Sequence, residues 1–165
     1  MSDTNAALKT PTDLGRNDTK TVAEALNGIL ADSYALYFKT KNFHWHVSGP
    51  HFRDYHLMLD DQAAQILATT DVIAERVRKT GNTTLRSVGD ISRHQTIKDN
   101  DADFVSAADM LAELREDNLK LVALLREAKE IVDEAKDNAT SGILDEWTDQ
   151  AEERAWFLFE TSRKG

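Results

Sequence analysis

Apolar residues recur along most of this chain in steps of three and four, the period of an amphipathic helix. Val22, Leu26, Ile29, Ser33, Tyr37, Thr40 and His44 fall on one face of a first helix. Ser48-Gly49-Pro50 stops it, and Pro50 suits the first turn of the next. The second helix carries Phe52, Tyr55, Leu59, Ala63, Ile66, Ile73 and Val77 and ends at Gly81 and Asn82. A long connection follows, to near Asp103, with Asp90 to His94 as a candidate short helix inside it. A third pattern runs through Phe104, Ala107, Leu111, Leu114, Asn118, Leu121, Leu125, Ala128 and Val132. Ser106 and Asp109 have the spacing of a capping box at its start. Asp137 to Gly142 reads as a turn, and Leu144, Trp147, Ala151, Ala155 and Leu158 mark a last helix.

Short, long, short is the loop pattern of an all-α, ferritin-like four-helix bundle with one long crossover. The expected organisation is a polar tail over residues 1–19, a bundle over 20–161 and a short C-terminal tail over 162–165. Only 2 prolines and 7 glycines in 165 residues favour long helices over strands and turns. No apolar run approaches the roughly 18 residues needed to span a bilayer. The first residues lack the apolar core of a secretion signal, so a cytoplasmic location is expected and a membrane partner is not. With no cysteine, any metal ligands must be His, Asp or Glu. A net charge of −9 disfavours binding to nucleic acid and suits attraction of cations.

Four of the five histidines sit in the segment HWHVSGPHFRDYHLMLDD, His44 to Asp61. On the second helix His56 and Asp60 are four apart and share a face, as do Asp71 and Glu75. Eleven residues separate Asp60 from Asp71, close to three turns, so both pairs point the same way although roughly 16 Å apart. One ion cannot use all four side chains of one helix. The midpoint of His56 and Glu75, and that of Asp60 and Asp71, both fall between Gln65 and Ile66. A twofold axis there sets His56 opposite the partner's Glu75 and Asp60 opposite the partner's Asp71. Ala63, Ala64 and Ala68 flank the axis and would let two helices approach closely. His44 lies just across the turn from His56 and can add a third ligand from the same subunit. Two imidazoles and three carboxylates suit Fe(II) or Zn(II) better than Mg(II) or Ca(II). The plainer alternative is a set of surface hydrogen bonds on a solvated helix face. A di-iron site inside the bundle would need Glu-x-x-His motifs, and no histidine here has a Glu three residues before it.

The stretches KNFHWHVSGPHF, TTDVIAERVRKTG and RAWFLFE, with His44-Trp45, His56, Asp60, Asp71 and Glu75, resemble the Dps mini-ferritins over most of residues 20–160. The resemblance implies a hollow homo-dodecamer with a ferroxidase site at each twofold interface. It implies iron as the metal, Fe(II) and hydrogen peroxide as substrates with peroxide preferred over oxygen, and storage of a ferric mineral. Cell and DNA would thereby be protected from oxidative damage. His44, His56 and Asp60 would come from one subunit, and the partner's Asp71 and the partner's Glu75 would complete the site. Trp45 matches the family tryptophan beside the site, with electron donation, radical trapping or core packing as its open roles. DNA-binding members often carry a lysine-rich tail. The first twenty residues here hold three basic and three acidic side chains, so a DNA-compacting, nucleoid-associated role is the alternative and is not favoured. Where many members place an aspartate lining an iron-uptake pore, this chain has Gly142. Asp145, Asp149 and Glu152 form an acidic stripe just beyond it, either lining the pore instead or forming a solvated face. His46 is open between an extra metal site and a hydrogen bond, and His51 and His94 carry no assignment.

Overall fold

A computed structural model describes residues 6–164; the first five residues of the expected tail, and Gly165, lie outside it. Five α-helices follow a short 3-10 turn at Ala6–Leu8: α1 (Arg16–His46), α2 (Phe52–Lys79), α3 (Val88–His94), α4 (Ala107–Glu134) and α5 (Asn138–Thr161). There is no strand among the described residues. Helices α1 and α2 pack as one hairpin, α4 and α5 as another, and α1 joins the two by lying on α4. Helix α3, inside the crossover, rests on α1. Leu26, Leu36, Phe43, Leu59, Ile66, Ile73, Leu114, Leu125 and Leu158 are fully buried between the helices. Each such side chain contributes about 1.5–3 kcal/mol by leaving water.

Three boundaries differ from the periodic pattern. Helix α1 begins at Arg16, inside the expected tail, because Thr19 is already packed and its carbonyl accepts from Asn82 Nδ2 at 3.1 Å. The residues before it cross the end of α2: a Cβ on Gly81, whose φ is +87°, would meet the Thr10 carbonyl at 2.8 Å. Phe104 precedes α4 and is 74% exposed. The helix starts after Ser106, whose hydroxyl accepts from Asp109 N at 3.1 Å. The segment Asp137 to Gly142 is no turn. Asp137 is the N-cap of α5: its carboxylate accepts from Thr140 N at 3.1 Å and from Arg76 of α2 at 2.9 Å. The polar residues that suggest a turn are those a helix start also selects. The real turn is the short link Ala135–Asp137, with Lys136 at φ 57°. Pro50 sits just ahead of α2, outside its first turn.

The crossover is fastened to α1 by buried polar groups. Asp32 accepts from Thr96 N at 2.6 Å, Ile97 N at 2.8 Å and Thr96 Oγ1 at 2.7 Å. One turn pair further along α1, Lys39 donates to Glu113 Oε1 at 2.9 Å and Asp117 Oδ2 at 2.8 Å of α4. Glu113 Oε2 in turn accepts from Asn100 Nδ2 of the crossover at 2.8 Å. Burial opposes the charge on Lys39, but these bonds outweigh it and hold the ammonium above the ordinary lysine range. In the bundle interior, Arg154 of α5 donates to Asn118 Oδ1 of α4 and to Gln65 Oε1 of α2, each at 2.7 Å. Burial lowers the Arg154 guanidinium to about 10, which leaves it charged at neutral pH. A buried cation there repels a metal ion, so the bundle interior at this level is the wrong place for one.

Candidate metal centre

The last turn of α1 and the first turns of α2 carry His44, His56 and Asp60, brought together by the turn at residues 47–51, where Gly49 takes φ +120°. The two histidines are wired reciprocally. His44 Nδ1 lies 2.7 Å from the carbonyl of His56, and His56 Nδ1 lies 2.8 Å from the carbonyl of His44. A carbonyl only accepts, so each Nδ1 is the protonated nitrogen and donates. In the neutral imidazole this tautomer leaves the lone pair on Nε2, the form that binds a metal. The rings stack with centroids 3.8 Å apart and planes 18° from parallel, and Phe52 covers the other face of His56 at 5.0 Å. Both imidazole orientations are therefore set by backbone and packing within the chain.

Asp60 follows His56 by one turn, with its Oδ1 3.8 Å from His44 Nε2. That oxygen already accepts from Lys41 Nζ at 2.7 Å. The Lys41 ammonium holds the Asp60 carboxyl below the usual carboxylate range. Lys41 also stands 5.7 Å from the centroid of the Trp45 ring, and Trp45 meets Phe38 edge-on at 6.0 Å. Trp45 is 54% exposed, so the core-packing role does not apply within the chain.

Asp71 and Glu75 lie exposed on α2, with Glu75 3.5 Å from Lys79. Counting along the helix, Glu75 is about 22 Å beyond Asp60. Among the described residues no group of three or more His, Asp or Glu within one chain is arranged to hold a metal. Between the two ends, the outer face of α2 exposes Leu57, Ala64, Leu67, Ala68 and Val72. Ala63 is not part of this face; it is fully buried in the bundle. The exposed stripe is centred where the sequence places the twofold axis.

The other expected residues divide. In the acidic stripe of α5, Asp145 is bonded to Lys129 at 2.9 Å and Glu152 is paired with Arg126, both from α4. Only Asp149 has no ion pair. His46 Nδ1 lies 2.8 Å from the Asn42 carbonyl and from Asn42 Oδ1, a local hydrogen bond. His94 Nδ1 is 2.8 Å from the Asp90 carbonyl, and His51 tilts against Tyr55 at 5.6 Å. Sequence reasoning missed Lys41 and Phe52. Lys41 stands three residues before His44, a spacing that puts both on one helix face, and this was the available signal.

Comparison with known proteins agrees with this architecture. Residues 23–164 match the family model of a ferritin-like domain. A low temperature-induced protein of Nostoc sp. is 37% identical over 138 residues, 83% of this chain and 77% of that protein. A DNA protection during starvation protein of Brevibacillus brevis is 33% identical over 137 residues, 83% of this chain and 91% of that protein. The crystal structure of a Dps protein from Bacillus brevis has 30% identity and a TM-score of 0.86, covering 91% of this chain and 100% of that one. Four-helix bundle, crossover and matched span together define a ferritin-like protein. Within that class, the chain belongs to the Dps family.

Proposed function

We propose that this protein oxidises Fe(II) at a site shared between two copies of the chain and stores the ferric product inside a dodecameric shell. Iron storage with protection against oxidative damage is the general role of its family. The observation that carries the proposal is the reciprocal bonding of His44 and His56, which commits both Nδ1 atoms and leaves both Nε2 atoms for a metal, with His44 Nε2 3.8 Å from the Asp60 carboxylate. A purely structural histidine pair needs no such tautomer control. His44, His56 and Asp60 supply one side of the site, and the partner's Asp71 and the partner's Glu75 supply the other. Carboxylates favour Fe(III), the harder cation, and so favour the oxidised product. Trp45, linked to Asp60 through Lys41 and largely in the open, is the proposed electron donor to the site.

Hydrogen peroxide is the proposed preferred oxidant. Two Fe(II) ions held together can deliver both electrons that peroxide needs to become water, so no hydroxyl radical is released. For Fe(II) uptake, the Asp145, Asp149 and Glu152 stripe is the proposed pore lining, with Asp149 as its one unpaired carboxylate. DNA is not a proposed partner, because a net charge of −9 opposes phosphate contact. Stopped-flow oxidation of Fe(II) tests the proposal, run with peroxide and with oxygen in wild type and His56→Ala. Faster oxidation with peroxide, lost in the variant, is the expected outcome. Equal rates in wild type and variant would reject the site.

A further inference from the structure

Lys41 is the cation paired with the His44, His56 and Asp60 half of this site, and nothing in the proposed oxidation uses it. Its ammonium sits 2.7 Å from Asp60 Oδ1, on the same oxygen that lies 3.8 Å from His44 Nε2. A metal ion joined to both atoms needs each within about 2.0–2.2 Å. Carboxylate and imidazole would then have to close on the ion, and the ion would share Oδ1 with an ammonium. Two cations on one oxygen repel strongly at such separations. The side chain of Lys41 is only 19% exposed, so the ammonium does not simply wave in solvent. It has one other attractive position nearby, the face of Trp45, whose ring centroid is 5.7 Å away.

We propose that Lys41 is a placeholder cation: its ammonium neutralises and positions Asp60 in the metal-free site, and an incoming divalent ion displaces it toward Trp45. The proposal rests on His44, His56 and Asp60 being metal ligands. Its consequence is specificity by charge. A monovalent cation gains too little at the imidazoles to displace the ammonium, whereas a divalent ion that accepts nitrogen ligands gains from both. It also makes Trp45 a neighbour that senses filling of the site, because the ammonium approaches the indole as the ion arrives.

The test uses the assembled protein and Zn(II), which binds without being oxidised. Calorimetric titration compares wild type with Lys41→Met, Lys41→Gln, Lys41→Arg and His56→Ala, while tryptophan fluorescence is followed in parallel. With the placeholder removed, the His56-dependent binding should tighten by about tenfold or more in the Met and Gln variants. Lys41→Arg keeps the charge and should bind no more tightly than wild type. The fluorescence change on Zn(II) addition should be present in wild type, absent in Trp45→Phe and strongly reduced in Lys41→Met. If neutral variants bind Zn(II) no more tightly than wild type while His56→Ala abolishes binding, the placeholder is overturned and the metal site stands. Binding that ignores both His56 and Lys41 would overturn the two together.

Discussion

Lys39 and Lys41 lie two residues apart on α1 and meet opposite fates. Lys39 points inward, is buried, and has two carboxylates from α4, one of which, Glu113, is itself tied to the crossover. Lys41 points along the outer edge toward a single half-exposed carboxylate and an exposed indole. The first cluster is closed: every group has its partner inside the chain, and its role is to hold α1, α4 and the crossover in register. The second is open. Neither imidazole Nε2 has a hydrogen-bond partner among the described residues, and the carboxylate beside them is held by a cation that can leave. A polar cluster that is complete in one chain reads as structure. One that is oriented but incomplete reads as a site awaiting a ligand.

The sharpest way to break this contrast is to attack the open cluster across the subunit boundary. His56→Ala and Glu75→Ala should each reduce peroxide-dependent Fe(II) oxidation by about a hundredfold or more. In a mixed twofold dimer of the two variants, one site loses both residues and the other keeps both. Co-refolding the two inactive proteins should therefore restore part of the activity, measured in shells whose assembly is checked by light scattering. No recovery in assembled hybrids would mean that the ligands do not come from two chains.

The closed cluster should fail differently. Lys39→Met leaves Glu113 and Asp117 facing each other without their cation and should cost about 3–5 kcal/mol of stability, read by denaturant unfolding. The cost should fall on the fold, with Zn(II) affinity little changed in protein that remains assembled. Lys41→Met should cost less than about 1 kcal/mol in the same measurement, since its pair is partly solvated. Similar losses for the two lysines would erase the distinction drawn between them.

The smallest effect concerns pH. Folded Lys39 holds its proton more tightly than the unfolded chain does, so its stabilisation is complete below the ordinary lysine range and fades as pH rises through and beyond it. The stability gap between wild type and Lys39→Met should narrow at strongly alkaline pH. A gap that widens there would mean that the bonds to Glu113 and Asp117 are not what sustains the charge.

Much of this is legible in the sequence. The three-and-four period marks every long helix, and the two coincident midpoints on α2 fall within its exposed apolar stripe, because helical geometry is regular enough to count along. Helix starts were less legible. Asp137, Thr140 and Ser141 serve a cap as well as a turn, and only the Arg76 contact from α2 shows which they do. Phe104 fits the helical period yet stands outside it, and Ala63 fits a contact surface yet belongs to the core. The wiring of His44 and His56 was not legible at all. Its acceptors are backbone carbonyls, which every residue carries, so no side-chain pattern announces them. Lys41 was half legible: its spacing puts it on the His44 face, but its reach to Asp60 depends on how α1 and α2 cross.

The clasp between His44 and His56 also has a consequence for timing. Each imidazole is fastened by the backbone of the other helix end, so closing the α1–α2 hairpin and aiming the ligands are one event. A newly folded subunit already holds both imidazoles in fixed orientation. If the site is shared as proposed, docking brings the two halves together with both imidazoles already aimed, and only Lys41 and Asp60 have to shift when the metal arrives.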